Sequence, residues 1–110
     1  MTKIAILGDY NPKVPTLLQL NTVAKQLTLE SKGSLFFEWV STDDFDFKTA
    51  FSHDYSGLWI APGSPYRHAN NVFGAINYTR INKIPTFGNC GGFQHMLIEF
   101  ARNVCNLKSA

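Results

Sequence analysis

Thr86-Phe87-Gly88-Asn89-Cys90-Gly91-Gly92-Phe93-Gln94 reads as a short strand, a tight turn and the first turn of a helix. Cys90 stands at the apex with a glycine two positions to either side. That is the cysteine form of a nucleophile elbow, in which a strained strand-to-helix turn projects one side chain from the edge of a sheet. The flanking glycines let strand and helix approach closely. The helix start adds free N–H donors and a positive dipole end, which favour thiolate over thiol, and the Gly91 N–H is placed to stabilise an oxyanion. Two other readings stay open for these residues. A cysteine near a Gly-rich strand end can be inert packing, and a Gly-rich turn before a helix can hold a phosphate. The phosphate reading lacks the lysine of a P-loop and the glycine spacing of a dinucleotide fingerprint.

Before this turn, apolar strands alternate with amphipathic helices. Lys3–Leu7 is a buried strand closed by Gly8-Asp9, and Leu35–Val40 is rich in aromatic and β-branched residues. Leu58–Ala61 ends at Pro62-Gly63, and Pro85–Gly88 is a short fourth strand. Helices are expected over Thr16–Lys32, stopped by Gly33, and over Asn70–Lys83, with Val72, Phe73, Ile76 and Ile81 available to the sheet. A helical turn is expected near Phe47–Phe51. The last helix, Gly91–Val104, has the clearest apolar pattern: Phe93, Met96, Leu97, Phe100, Ala101 and Val104.

Such alternation predicts βαβ units, a parallel sheet and right-handed crossovers, hence an α/β three-layer sandwich of flavodoxin-like type. In a parallel sheet the loops after every strand share one edge, where ligands bind. Gly8–Pro12, Ser41–Asp44, Pro62–Arg67 and Gly88–Gly92 are therefore expected together. The Pro62-Gly63 turn then has two readings: a plain strand terminator, or a second oxyanion donor facing Cys90 through the N–H of Gly63 or Ser64.

The 110 residues suffice for one domain, and at 45 % hydrophobic the chain is globular. A net charge of +2 with scattered Lys and Arg gives no footprint for nucleic acid or an anionic membrane. The two cysteines, Cys90 and Cys105, are too few for a disulfide scaffold and lack zinc-ligand neighbours, so no metal or other cofactor is called for. No apolar run approaches a membrane span. The chain reads as soluble, cytoplasmic and reduced.

Three stretches, Ile4–Tyr10, Gly57–Tyr66 and Gly88–Gln94, resemble the class I glutamine amidotransferases of the triad type. Cys90–His95 followed by Glu99–Val104 is most similar to the amidotransferase domain at the C-terminal end of CTP synthase and to proteins related to it. The resemblance spans almost the whole chain. It implies that Cys90 attacks the side-chain amide of glutamine, forming a thioester and releasing ammonia. It implies an oxyanion hole from Gly91 and the Gly63/Ser64 turn, and substrate binding by Gln94, Gly92 and Phe93. A synthetase domain or subunit would accept the ammonia; a homodimer stays open.

Two departures stand out. Many family members have Pro-Gly-Gly where this chain has Pro62-Gly63-Ser64. The family's His-x-Glu element comes well after the cysteine, whereas here only His95 follows Cys90. His53, His68 and His95 are expected in surface or packing roles, and Cys105 in packing. Tyr10, Tyr66 and Arg67 lie on edge loops, with Tyr66 the first candidate for a substrate contact. Residues 1–110 are thus expected to form the N-terminal part of an amidotransferase domain, continued by about another half. The alternatives are a non-catalytic binding or regulatory module that keeps the fold, or a cysteine hydrolase of the DJ-1/PfpI group. Many of that group place His directly after the cysteine, where this chain has Gly91.

Overall fold

A computed structural model describes residues 1–43 and 45–110; Asp44, expected on an edge loop, and the side chain of His53 lie outside the described residues. The strands are β1 (Thr2–Leu7), β2 (Leu35–Val40), β3 (Gly57–Ile60) and β4 (Thr86–Gly88). The helices are α1 (Pro15–Glu30), α2 (Phe47–His53), α3 (Ala69–Ile81) and α4 (Gly91–Asn103). The four strands form one sheet in the order β2-β1-β3-β4, and every pairing is parallel. Leu58 stands opposite Thr86 and Ile60 opposite Gly88, the parallel register that the strand–helix alternation predicts.

Local chemistry sets the boundaries. Pro15 begins α1, where its missing N–H costs nothing. Past Ser31 the chain turns through Lys32 and Gly33, both at positive φ (54° and 79°), so the helix stops short of the expected Lys32. At α2 the Asp46 carboxylate caps the helix, accepting from the N–H and the hydroxyl of Thr49 (3.3 and 2.9 Å). α2 runs two residues past the turn expected at Phe47–Phe51.

Successive strand residues face opposite layers. Ala5, Leu7, Leu58 and Ile60 pack with Val72, Ala75 and Ile76 of α3 and with Phe45 and Tyr66. Ile6 and Ala61 pack with Leu17, Leu20 and Ala24 of α1, flanked by Phe37, Trp39 and Trp59. Each fully buried large aliphatic side chain contributes about 2 kcal/mol of transfer free energy.

The face of α3 differs from expectation, and the structure sets the face of α4. In α3 the buried set is Val72, Ala75, Ile76 and Thr79; Phe73 packs instead against His95 and Arg102, and Ile81 is 61 % exposed. Spacing of three and four selects one stripe, and positions 73 and 81 fall off it. In α4, where the sequence carries an apolar pattern without a face, Phe93, Leu97, Phe100 and Val104 are 44–55 % exposed. The residues turned inward are Gly91, Gly92 and Glu99, with Met96 half-buried against the core. Glu99 is seated there by Arg80 Nε and Nη2 (2.8 and 2.9 Å), Asn77 (3.1 Å) and Asn103 (2.8 Å), so its carboxylate is fully partnered. Phe87 of β4 is also open, at 59 %. The β4/α4 flank is therefore an apolar, uncovered side of the molecule.

Candidate active site at the end of the fourth strand

Two residues separate β4 from α4, and the second, Cys90, has φ 53° and ψ −119°. A non-glycine residue in this region is strained by about 1–3 kcal/mol and persists only where its surroundings impose it. Here they do. A β-carbon on Gly88 would lie 2.8 Å from both the Gly92 carbonyl carbon and Met96 Sδ. One on Gly92 would lie 2.3 Å from the Ile60 carbonyl oxygen. Helix, strand and turn are pressed together through these glycines, and Cys90 is left exposed as a free thiol at the top. The inert-packing reading is thereby set aside. Gly92 acts as a packing contact against β3.

The Pro62-Gly63-Ser64 turn lies directly over the first turn of α4. A β-carbon on Gly91 would meet Ser64 Oγ at 2.8 Å, Ser64 Cβ at 2.9 Å and Ser64 N at 3.2 Å. Gly63 takes φ +107°, which brings Ser64 round to that position. Neither the Gly91 nor the Ser64 N–H finds an acceptor among the described residues. The Gly92 and Gln94 N–H groups, by contrast, bond the carbonyls of Asn89 and Cys90 (both 3.0 Å). Two unoccupied donors thus flank the thiol.

Tyr66 and His95 bracket this arrangement from behind. The Tyr66 hydroxyl donates to the Ala61 carbonyl, and its ring meets His95 edge-on at 4.8 Å. His95 stacks on Phe73 at 4.9 Å and places Nδ1 2.7 Å from the Gly91 carbonyl oxygen. Tyr66 is 6 % exposed, and burial first, then the neighbouring Cys90 and Asp9, push its hydroxyl up to about 12. Its polar atom is committed to the Ala61 carbonyl, which makes it a post for the turn. Phe93 and Gln94 are exposed in the first turn of α4.

The other edge loops are stitched by Asp9, whose carboxylate accepts from the Thr42 N–H and hydroxyl (3.1 and 2.8 Å) and the Arg67 N–H (2.9 Å). Burial raises the Asp9 carboxyl, but these bonds outweigh it and hold it below its ordinary value. Arg67 also pairs with Asp43 (3.2 Å), and His68 Nδ1 lies 2.7 Å from the same carboxylate. Tyr10 packs edge-on against Trp39 at 4.7 Å. Arg67, His68 and Tyr10 are therefore loop structure. Cys105, expected in packing, is exposed just past the end of α4.

Sequence reasoning missed the wall beside the thiol. A groove of about 490 Å³ runs from Cys90 past Asn89, Trp59, Gly63 and Ser64 to Thr16 and Gln19 of α1. Trp59 Nε1–H donates to Asn89 Oδ1 (3.1 Å), fixing the residue before the nucleophile. Asn89's place beside Cys90 was a signal; Thr16 and Gln19 carried none. Among the described residues no group of His, Cys, Asp or Glu side chains could hold a metal ion, and no helix is long and apolar enough to cross a membrane.

Known proteins share this arrangement of chain. The family model described as "Glutamine amidotransferase class-I" matches residues 24–110. A CTP synthase of Archaeoglobus fulgidus is 34 % identical over 107 residues, covering 97 % of this chain and 20 % of that protein. One from Desulfitobacterium hafniense is 32 % identical over 111 residues, 99 % of this chain and 21 % of the relative. The chain thus spans about a fifth of the length of these curated relatives. Among solved structures, the glutaminase domain of Trypanosoma brucei CTPS, with bound acivicin, superposes with a TM-score of 0.79 at 22 % identity, over 98 % of this chain and 43 % of that one.

Proposed function

The chain belongs to the class I glutamine amidotransferase family, and we propose from that premise that it carries the nucleophile portion of a glutaminase site. The Cys90 thiolate attacks the side-chain carbonyl of glutamine. Electrons move onto the carbonyl oxygen, which the N–H groups of Gly91 and of Gly63 or Ser64 receive. As the adduct collapses, its amide nitrogen takes up a proton and leaves as ammonia, giving a γ-glutamyl thioester; water then cleaves the thioester to glutamate and the free Cys90 thiol. Gln94 and Phe93, exposed on the first turn of α4, form the wall against which the substrate lies. The observation that carries this reading is the strained Cys90 backbone lying beneath a Pro-Gly turn with two free donors.

Protonating ammonia and activating water require a general acid and base, worth roughly a hundredfold to ten-thousandfold. His95 is turned to the Gly91 carbonyl and His68 to Asp43. We therefore assign that role to further polypeptide of the family's kind, seated on the uncovered β4/α4 flank, with residues 1–110 as the N-terminal part of the domain. The likeness to CTP synthases supports a synthetase domain or subunit as the acceptor of ammonia. The commitment of His68 to Asp43 and of His95 to the Gly91 carbonyl favours a second reading, a non-catalytic module that keeps the fold.

Ammonia release from glutamine decides between them, measured for the 110-residue chain, its Cys90→Ala variant and the longest product of its gene. Weak release by the chain and full, Cys90-dependent release by the longer product is the expected result. Full activity in the 110 residues would mean that an upstream histidine serves as base. No Cys90-dependent release from either protein would leave the non-catalytic module.

A further inference from the structure

We propose that the hydroxyl of Ser64, beyond its backbone N–H, is a third donor to the oxyanion formed on the substrate carbonyl at Cys90; this rests on the reading of Cys90 as the nucleophile. Ser64 Oγ lies 2.8 Å from where a β-carbon of Gly91 would sit, and the Ser64 nitrogen lies 3.2 Å from the same point. That point is about 2.5 Å from the Gly91 nitrogen by standard bond geometry. The two N–H groups and the hydroxyl thus fall within about 6 Å of one another, the span that one oxygen held roughly 2.7–3.1 Å from each donor can bridge. The hydroxyl has no hydrogen-bond partner among the described residues, so its proton is free to rotate toward an incoming acceptor. Gly91 leaves room for it. Any side chain there would displace Ser64, and a glycine in place of Ser64 would offer the backbone donor alone.

A hydrogen bond that forms only as charge develops on oxygen acts on the transition state, with no proton transferred. It should therefore speed reactions that pass through an oxyanion and leave direct displacement at sulfur untouched. The two can be compared on Cys90 itself, in a Cys105→Ser background that removes the other exposed thiol. With p-nitrophenyl acetate the thiolate adds to the ester carbonyl, the oxyanion forms, and the C–O bond breaks to release p-nitrophenolate. With iodoacetamide the sulfur displaces iodide at a saturated carbon and no oxyanion appears. Ser64→Ala is expected to slow the acetate burst by about a hundredfold and leave the iodoacetamide rate unchanged, and Ser64→Thr to retain the burst. An unchanged burst in Ser64→Ala overturns the proposal. Equal slowing with both reagents also overturns it, since the hydroxyl would then only hold α4 in place. If Cys90 in the native chain acylates no faster than Cys105, the nucleophile reading falls, and the proposal with it.

Discussion

The α-carbon of Gly92 approaches β3 so closely that a β-carbon would sit 2.3 Å from the Ile60 carbonyl oxygen. A backbone oxygen at the end of a buried strand cannot swing aside as a flexible side chain can. Gly92→Ala is expected to cost about 3 kcal/mol, the upper end of overpacking, and to slow Cys90 labelling by loosening the elbow. Gly33→Ala is the control: nothing lies within 4 Å of its β-carbon position, and its φ of +79° alone should cost about 1 kcal/mol. Urea unfolding of the two variants measures the difference.

Strain at Cys90 should be visible as stability. Cys90→Gly relieves a φ of 53° and should raise stability by about 1 kcal/mol, whereas Cys90→Ala keeps the same backbone cost. Equal melting of the two variants would mean the turn is not strained. In the native chain both thiols are exposed, so accessibility does not separate them. The positive end of α4 stands at Cys90 and the negative end near Cys105, so timed iodoacetamide labelling should modify Cys90 first.

Removing the Tyr66 hydroxyl leaves the buried Ala61 carbonyl without its partner. Tyr66→Phe should lose about 1–2 kcal/mol and slow the acylation of Cys90 without changing its dependence on ester concentration. A substrate-contacting tyrosine would do the reverse, weakening ester binding at unchanged stability. Urea titrations and burst kinetics on the same sample distinguish the two.

Acid should find Glu99. The Arg80 guanidinium first, opposed by burial and aided by Asn103 and Asn77, holds its carboxyl down to about 2, from an ordinary 4.5. A depressed carboxyl stabilises the fold fully above its unfolded value and loses that contribution as pH falls toward the folded value. The window is therefore about pH 4.5 down to about pH 2. Glu99→Gln should lower stability at pH 7 by about 3 kcal/mol and lose less on acidification than the native chain. Parallel pH profiles for the two proteins would remove Glu99 from the account.

The order of elements, the parallel sheet and the elbow were legible in the chain alone, because each rests on local rules. Alternation with short connections dictates βαβ units, and glycines two positions either side of Cys90 dictate a turn that only close packing rewards. The Pro62-Gly63 turn was legible as a turn, and the shared edge placed it across from the thiol. The face that α4 presents was not legible. Its apolar periodicity marked Phe93, Met96, Leu97, Phe100, Ala101 and Val104 without saying which of them meet the sheet; the close approach of Gly92 to Ile60 and the seating of Glu99 among Arg80, Asn77 and Asn103 leave Phe93, Leu97, Phe100 and Val104 outward. Periodicity reports that a helix has an apolar side; which side meets the sheet depends on contacts from α3 and β3, about 20 to 30 residues away in sequence. The same holds for Tyr66, an edge-loop residue in the sequence whose hydroxyl bond to Ala61 only tertiary packing decides. Chain-local chemistry determined that Cys90 would sit on an elbow. Only the packing of three separate elements decided which groups around it remain free to act.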